Sequence, residues 1–128
     1  MRAAAQRRDY SDVARALGQH PNRLERRVLA ALIDFFPEAG WQFNPGIVIN
    51  RKIPDFVRMD GVSLAIDIHG DYWHRDDTPQ MCRERKNLFL AEGWQLVIIW
   101  EREFRRDPTV LRKRVLRALR RLRECRRA

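Results

Sequence analysis

Residues 64–100 read LAIDIHGDYWHRDDTPQMCRERKNLFLAEGWQLVIIW, and this stretch decides the fold. Its two ends, LAIDIH and LVIIW, are short apolar runs typical of buried strands. The middle, TPQMCRERKNLFLAEG, predicts a helix with Thr78 as N-cap, Pro79 in the first turn and Gly93 after the last turn. A strand, a helix and a second strand in this order predict a right-handed crossover between two parallel strands of one sheet.

The residues before this stretch predict one helix and several short strands. PNRLERRVLAALIDFFPEAG has apolar residues at helical spacing, Asn22 as an N-cap, and Pro37 and Gly40 as stop signals. Strand-like pieces follow in WQF, GIVIN, IPDFVR and VSLAIDIH. The MDG at 59–61 predicts a tight turn that pairs the last two pieces as an antiparallel hairpin.

Residues 107–127 predict a basic, amphipathic C-terminal helix. The element order is then αβββαβα, an α/β architecture in which a mixed β-sheet of about four strands is flanked by helices. We expect residues 1–128 to form a single domain, with residues 1–20 as a frayed N-terminal segment.

The net charge of +9 is concentrated near the C-terminal end. Residues 102–128 contain twelve Arg or Lys and three acids, whereas bases and acids cancel in residues 1–101. Such a basic stripe favours a nucleic acid as partner over an acidic membrane surface or a merely solvated helix face. The residues expected to follow a phosphate backbone are Arg112, Arg114, Arg117, Arg120, Arg121 and Arg123.

The composition argues against membrane and secreted classes. No apolar run is long enough to cross a bilayer, and MRAAAQRRDYSD at the start has no apolar segment typical of a secretion signal. Cys82 and Cys125 do not have the spacing of a disulfide framework. We therefore expect a cytoplasmic protein without a membrane partner.

Two carboxylates and an imidazole fall on neighbouring strands of the predicted hairpin. Asp55 lies in one strand, and in the next Asp67 and His69 share the face opposite Ile66 and Ile68. Two carboxylates this close repel each other unless a cation lies between them or one binds a proton. Near phosphates, Mg²⁺ is held by one or two carboxylates and water. With His69 as proton acceptor, the cluster predicts metal-assisted hydrolysis of a phosphodiester.

Each of these residues also has a structural interpretation. An Asp after Pro, such as Asp55, is typical of a turn, and a strand histidine is commonly a hydrogen-bonded core residue. Asp67 alone can pair with Arg58 or with Arg85. Three such residues on one predicted surface favour the catalytic interpretation.

The same motifs resemble a known nuclease family. PDF followed by AIDIH resembles the PD-(D/E)XK nuclease superfamily, with His69 where lysine is usual. More closely, DIHGDYWH followed by EGWQLVIIWERE resembles the very-short-patch-repair (Vsr-like) endonucleases and the homing endonucleases that share their fold. The resemblance covers roughly residues 25–103. It implies a restriction-endonuclease-like fold and a Mg²⁺-dependent DNA endonuclease, with Mn²⁺ as an alternative ion.

The resemblance implies a role for each matching position. Asp55 would be the principal metal ligand, and the backbone carbonyl of Ile68 a second ligand. His69 would be the general base and His74 a further catalytic or phosphate-contacting imidazole, although which of the two is the base stays open. Glu25 matches an acid that supports the metal through water, and it also completes a predicted capping box with the helix N-cap.

Two departures from the family bear on the metals. Asp67 stands where the patch-repair enzymes have a non-acidic residue, which favours direct carboxylate ligation as in the wider superfamily. The segment after His74 lacks the family's Cys/His pattern for a structural zinc. Because His74 and Cys82 alone cannot make a four-ligand site, we expect no structural zinc.

Further positions are implied to contact DNA. Tyr72 and Trp73 match aromatics that the family wedges between base pairs, although Trp73 also suits a core position. The loop is short, so mismatch specificity does not carry over. Arg83, Arg85 and Lys86 lie where the family has basic residues, and one of them could reach the scissile phosphate in place of the missing lysine.

The sequence as a whole predicts an endonuclease of double-stranded DNA that acts in repair, homing or restriction, at the nucleoid or in a phage-infected cell. Cutting both strands would need a homodimer or two successive nicks, and a recruiting DNA-binding protein stays open. One alternative is a catalytically inactive DNA-binding module on the same fold. Another is a small basic protein that binds RNA or an acidic protein through the C-terminal helix.

Overall fold

The computed structural model describes residues 22–44, 46–70 and 76–127, and a four-stranded mixed sheet flanked by helices organises them. This confirms the α/β architecture predicted from the sequence. The prediction for residues 1–20 lies outside the described residues. In chain order the elements are α1 (Arg23–Phe35), β1 (Gln42–Phe43), β2 (Phe56–Val57), β3 (Leu64–His69), α2 (Pro79–Ala91), β4 (Gln95–Trp100), α3 (Glu101–Arg106) and α4 (Thr109–Arg127).

The strands lie in the order β1-β2-β3-β4. β1 pairs with β2 in antiparallel fashion, and β2 pairs with β3 in the same way, as the predicted turn at 59–61 requires of β2 and β3. β3 and β4 are parallel over six residue pairs, and α2 connects them. In that register Asp67 is opposite Ile98 and His69 is opposite Trp100.

Helices cover both faces of the sheet because the apolar side chains of the central strands alternate. On one face Ile66 and Ile99 pack in a cluster with residues of α1 and α4. On the other face Ala65 and Ile98 pack in a cluster with Phe89 of α2. The central strand β3 is buried along its whole length, so its two polar residues, Asp67 and His69, are held inside the protein.

The helix ends follow the predicted signals. The Asn22 side chain accepts from the Glu25 N–H (2.8 Å) and the Glu25 carboxylate from the Asn22 N–H (2.9 Å), which is the predicted capping box. Thr78 caps α2 by accepting from the backbone N–H of Met81. Gly93 has a φ of +81° after the end of α2, a conformation in which glycine is favoured.

The prediction of a strand at residues 46–50 is wrong. Only one isolated antiparallel bridge forms there, between Ile49 and Lys52. The two residues between them, Asn50 and Arg51, both have positive φ angles (47° and 64°), so the chain reverses at once. Such a reversal is the conformation of a two-residue hairpin turn, and it leaves no length for a strand.

A short helix, α3, follows β4 directly and was absent from the prediction. Glu101 and Glu103 lie in its first turn and Arg105 and Arg106 in its last turn, which suits the helix dipole. Glu103 also accepts a hydrogen bond from the backbone N–H of Trp100 (3.3 Å). This charge order is the sequence signal for the helix.

The predicted C-terminal helix is confirmed as α4. Leu111 and Val115 are fully buried and anchor it to the sheet. Five of its six predicted phosphate-contacting residues are exposed, and Arg114 is half-buried; the exposed ones are Arg112, Arg117, Arg120, Arg121 and Arg123. No helix in the described part of the chain is both long and apolar enough to cross a membrane.

Candidate active site

A cavity of about 540 Å³ opens between α1, α2 and the neighbouring strands β2 and β3. We call it the acidic cavity. It brings together six of the residues that the sequence predicted for the site, which are Glu25, Asp55, Asp67, Ile68, His69 and Arg85. The hairpin and the crossover place them there, since β2 and β3 are adjacent and α2 lies over the face that carries Asp67 and His69.

Asp55 and Asp67 are linked across the two strands. The backbone N–H of Asp55 donates to Oδ1 of Asp67 (3.2 Å), and the backbone N–H of Ile68 donates to Oδ2 of Asp55 (2.7 Å). Both residues are buried, with 8% and 3% of their surface exposed. Buried carboxylates need such donors because they have lost most of their hydration. The predicted convergence of the two acids is therefore confirmed.

Arg85 of α2 supplies a positive charge beside this pair. Its Nε donates to Oδ2 of Asp67 at 2.5 Å, and Nη2 donates to the carbonyl of Ile53 at 3.3 Å. The guanidinium also lies over the Phe89 ring, 5.4 Å from its centroid. Of the two partners considered for Asp67, Arg85 is the one observed, whereas Arg58 pairs with Asp60 in the turn.

His69 is held between an acid and an aromatic ring. Its Nδ1 lies 3.5 Å from Oδ2 of Asp77, and its ring packs edge-on against Trp100 with centroids 5.0 Å apart. The Asp77 carboxylate is thus the acid next to Nδ1, and the Trp100 ring limits the movement of the imidazole. Sequence reasoning missed Asp77, whose signal was an acid placed directly before the Thr78 cap at the end of the β3–α2 connection.

Glu25 serves two structural purposes at once. It completes the capping box of α1, and it is buried in the wall of the acidic cavity with 5% of its surface exposed. The two interpretations of Glu25 are therefore compatible, because a carboxylate has two oxygens and several acceptor sites.

The other predicted DNA-contacting residues lie elsewhere. Arg83 is exposed on α2, and Lys86 lies in a second cavity described below. Tyr72, Trp73 and His74 lie outside the described residues. Arg85 is thus the basic residue of α2 that lines the acidic cavity.

The donors of the acidic cavity fit a hard divalent cation. Asp55 and Asp67 supply carboxylate oxygen atoms, which are the ligands that Mg²⁺ and Mn²⁺ prefer, and Ile68, whose carbonyl was predicted as a ligand, lies in the same lining. Among the described residues, no three His, Cys, Asp or Glu side chains form a preassembled metal cage. Mg²⁺ commonly binds through one or two carboxylates, with water and substrate phosphates as its remaining ligands, so two carboxylates suffice.

Comparison with known proteins adds no family to this description. No protein-family model, no curated protein and no solved structure matches the chain. The resemblance to Vsr-like endonucleases therefore stays a prediction from the quoted motifs.

Proposed function

We propose that this protein is a metal-dependent DNA endonuclease that hydrolyses phosphodiester bonds. The observation that carries the proposal is the acidic cavity, where two buried carboxylates from adjacent strands meet an imidazole and an arginine. Burying two like charges costs stability unless the surroundings compensate for them. Such groups are therefore typical of functional sites.

The oxygen donors of the two strands would hold the cation. Asp55 is fixed by the Ile68 N–H, and Asp67 by the Asp55 N–H, so both carboxylates are already oriented. The Ile68 carbonyl and Glu25 supply further oxygens at the same wall. A divalent ion bound there contributes Lewis-acid stabilisation of the charge that develops on the phosphate oxygens.

His69 is the proposed general base. With Nδ1 directed at Asp77, Nε2 is the nitrogen that would take a proton from the attacking water. The water oxygen would form a bond to phosphorus as the bond to the 3′-oxygen breaks, the leaving oxygen would take a proton from a solvent water, and His69 would return its proton to solvent. The products are a 5′-phosphate and a 3′-hydroxyl, as the family resemblance implies.

Arg85 takes the place of the superfamily lysine in this proposal. Its guanidinium holds Asp67 and stays charged at any physiological pH. A planar guanidinium in the cavity is also suited to bidentate contact with phosphate oxygens. The exposed arginines of α4 would supply sequence-independent affinity for the DNA backbone.

One observation favours a second candidate, a catalytically inactive DNA-binding module. The Asp67–Arg85 ion pair compensates one of the two buried carboxylates without any metal. A protein that uses the pair only for stability would keep the fold and the basic helix, and it would bind DNA without cutting it.

Conversion of supercoiled plasmid to the nicked form tests the proposal. Purified protein is assayed with Mg²⁺, Mn²⁺ or EDTA, beside Asp67→Asn and the matched control Asp34→Asn, an exposed aspartate of α1. We expect cleavage that needs the metal, falls by about 100-fold or more in Asp67→Asn and is unchanged in Asp34→Asn. Thermal unfolding of each variant shows whether a loss of cleavage is a loss of fold.

Absence of cleavage by every variant, combined with salt-sensitive binding of duplex DNA, would favour the inactive module. Incubation with a randomised duplex library then separates an inactive site from a strict target sequence. Cleavage of library members by the wild type but not by Asp67→Asn supports the nuclease, and an uncut library contradicts it.

A further inference from the structure

A second cavity of about 480 Å³ lies on the other side of α2, at the β4 edge of the sheet. We call it the basic cavity, because three of its side chains are cationic and one is acidic. Its lining comes from α2, β4, α3 and α4 and consists of Cys82, Lys86, Ile98, Trp100, Arg102, Glu103 and Arg114. Cys82 lines both cavities, so they adjoin each other at this turn of α2.

The acid of the basic cavity is already neutralised. Arg114 binds Glu103 in a bidentate manner, with Nη1 donating to Oε1 at 2.9 Å and Nη2 to Oε2. The guanidinium of Arg102 lies over the Trp100 ring, 4.9 Å from its centroid. Lys86 and Arg102 bring two further positive charges to the lining.

Lys86 is an exposed residue of α2 whose side chain lines this cavity. Partial desolvation of its ammonium group lowers its pKa, and repulsion from Arg114, Arg121 and Arg117 of α4 lowers it further. An anion bound beside Lys86 would oppose both effects, since it would stabilise the ammonium form. The basic cavity thus has the electrostatics of an anion site.

The basic cavity lies next to the acidic cavity, so an anion bound in one would be close to the other. Ile98 and Trp100 line the basic cavity, and their register partners Asp67 and His69 line the acidic one. Neighbouring strands are about 4.8 Å apart. A DNA strand carries one phosphate for about every 3.4 Å of helix axis. The two cavities are therefore close enough to contact nearby phosphates of one strand.

We infer that the basic cavity is a binding site for a backbone phosphate of duplex DNA, close to the phosphate that is cleaved. This inference rests on the proposed nuclease function. Lys86 and Arg102 would contact the phosphate oxygens through charge-assisted hydrogen bonds, and Glu103 would hold the Arg114 guanidinium in place. Phosphate contacts of this kind set the register of the DNA without reading its sequence.

The salt dependence of binding to a fluorescent duplex tests the inference. Anisotropy is measured in EDTA, so that no cleavage occurs, for the wild type, Lys86→Gln and Lys113→Gln. Lys113 is exposed on α4 and is part of neither cavity lining, so its substitution removes the same charge elsewhere. We expect Lys86→Gln alone to weaken binding by about tenfold. It should also make the slope of log K against log salt shallower by about 0.9.

Equal losses in Lys86→Gln and Lys113→Gln would overturn the inference, because the effect would then be one of overall charge. Failure of Lys86→Arg to restore the slope would do the same if the variant melts like the wild type. If Lys86→Gln weakened binding to a single-stranded RNA of equal length more than binding to the duplex, that result would contradict the assignment to duplex DNA. Since binding in EDTA needs no catalysis, these outcomes are independent of whether Asp67→Asn abolishes plasmid cleavage.

Discussion

The two cavities beside α2 have opposite charge although they share the same helix and the same sheet face. The acidic cavity is built around Asp55, directly before β2, and Asp67 of β3, whose carboxylates are buried and accept from backbone N–H groups. The basic cavity is built mainly from helix residues at the sheet edge. Arg85 and Lys86 are adjacent in sequence, yet about 100° of helix rotation directs them to different cavities. Two adjacent residues of one helix therefore line two cavities of opposite charge.

The largest effect on stability is expected from Arg85→Gln, which removes the cation from the acidic cavity. Asp67 would be left buried with an uncompensated charge, so the free energy of unfolding should fall by about 3 kcal/mol. Urea unfolding at neutral pH measures this. The matched control Arg83→Gln changes an exposed arginine of the same helix and should have little effect.

The double variant Arg85→Gln, Asp67→Asn sharpens this result. Because both charges are gone, the second substitution should recover about 2 kcal/mol of the loss, which a double-mutant cycle reports as coupling energy. Millimolar Mg²⁺ should raise the Tm of Arg85→Gln more than that of the wild type, since the cation then has no competitor at Asp67. Equal shifts would argue that Mg²⁺ does not bind there.

The next effect concerns Glu25, where capping and catalysis can be separated. Gln at this position can still accept the Asn22 N–H, so Glu25→Gln should leave the Tm nearly unchanged. Plasmid cleavage should nevertheless fall by about tenfold, because a charge beside the proposed metal site is lost. Glu25→Ala should lose activity to a similar extent and also about 1 kcal/mol of stability. Unchanged cleavage in Glu25→Gln would leave Glu25 as a cap alone.

The smallest effect is the pH dependence contributed by the basic cavity. Hydrogen bonds from Arg114 hold the pKa of Glu103 below its ordinary value of 4.5. The stabilisation is therefore complete above pH 4.5 and is lost as the pH falls through the lowered pKa. At neutral pH Glu103→Gln should cost about 1 kcal/mol or less, since the pair is partly exposed.

Urea unfolding at pH 7 and pH 3 measures this difference. The difference in free energy of unfolding between the wild type and Glu103→Gln should be smaller at pH 3 than at pH 7. Glu92→Gln, which changes an exposed glutamate after α2, controls for general effects of acid. A gap that widened in acid would contradict the assigned direction.

The helices and the crossover were predictable because their signals are local. Asn22, Thr78 and Gly93 mark helix ends through contacts with residues three positions away or through their own backbone angles. The convergence of Asp55 and Asp67 followed from strand alternation and one turn. Such inferences need only the geometry of one hairpin.

The loop at 46–50 was predicted as a strand, but the side chain of Asn44 makes hydrogen bonds to its backbone that a neighbouring strand would otherwise make. Oδ1 of Asn44 accepts from the N–H groups of Gly46 and Ile47, and Nδ2 donates to the carbonyls of Ile47 and Pro54. An asparagine used this way competes with sheet pairing, and its buried amide is fully satisfied. The apolar alternation of the segment therefore did not produce a strand.

The sequence offered Arg58 or Arg85 as partner of Asp67 but could not choose between them, and it did not pair Arg114 with Glu103, because these residues are distant in sequence. Arg85 reaches Asp67 eighteen residues away, and Arg114 reaches Glu103 eleven residues away. Composition and periodicity restrict which side chains are buried but do not select one acid for one base. The basic cavity needs four elements at once, so its existence emerged only from the packed structure.

Arg114 has a further consequence for how copies of this chain meet. β4 is the last strand in the sheet order of the described residues, so one side of its backbone faces away from the other strands. Nη1 of Arg114 donates to the Ile98 carbonyl on this strand at 3.1 Å. Long uncovered edges recruit foreign strands and lead to aggregation, and natural proteins block them with charged side chains. Arg114, which lines the basic cavity, therefore also occupies an edge carbonyl with which a foreign strand would have to pair.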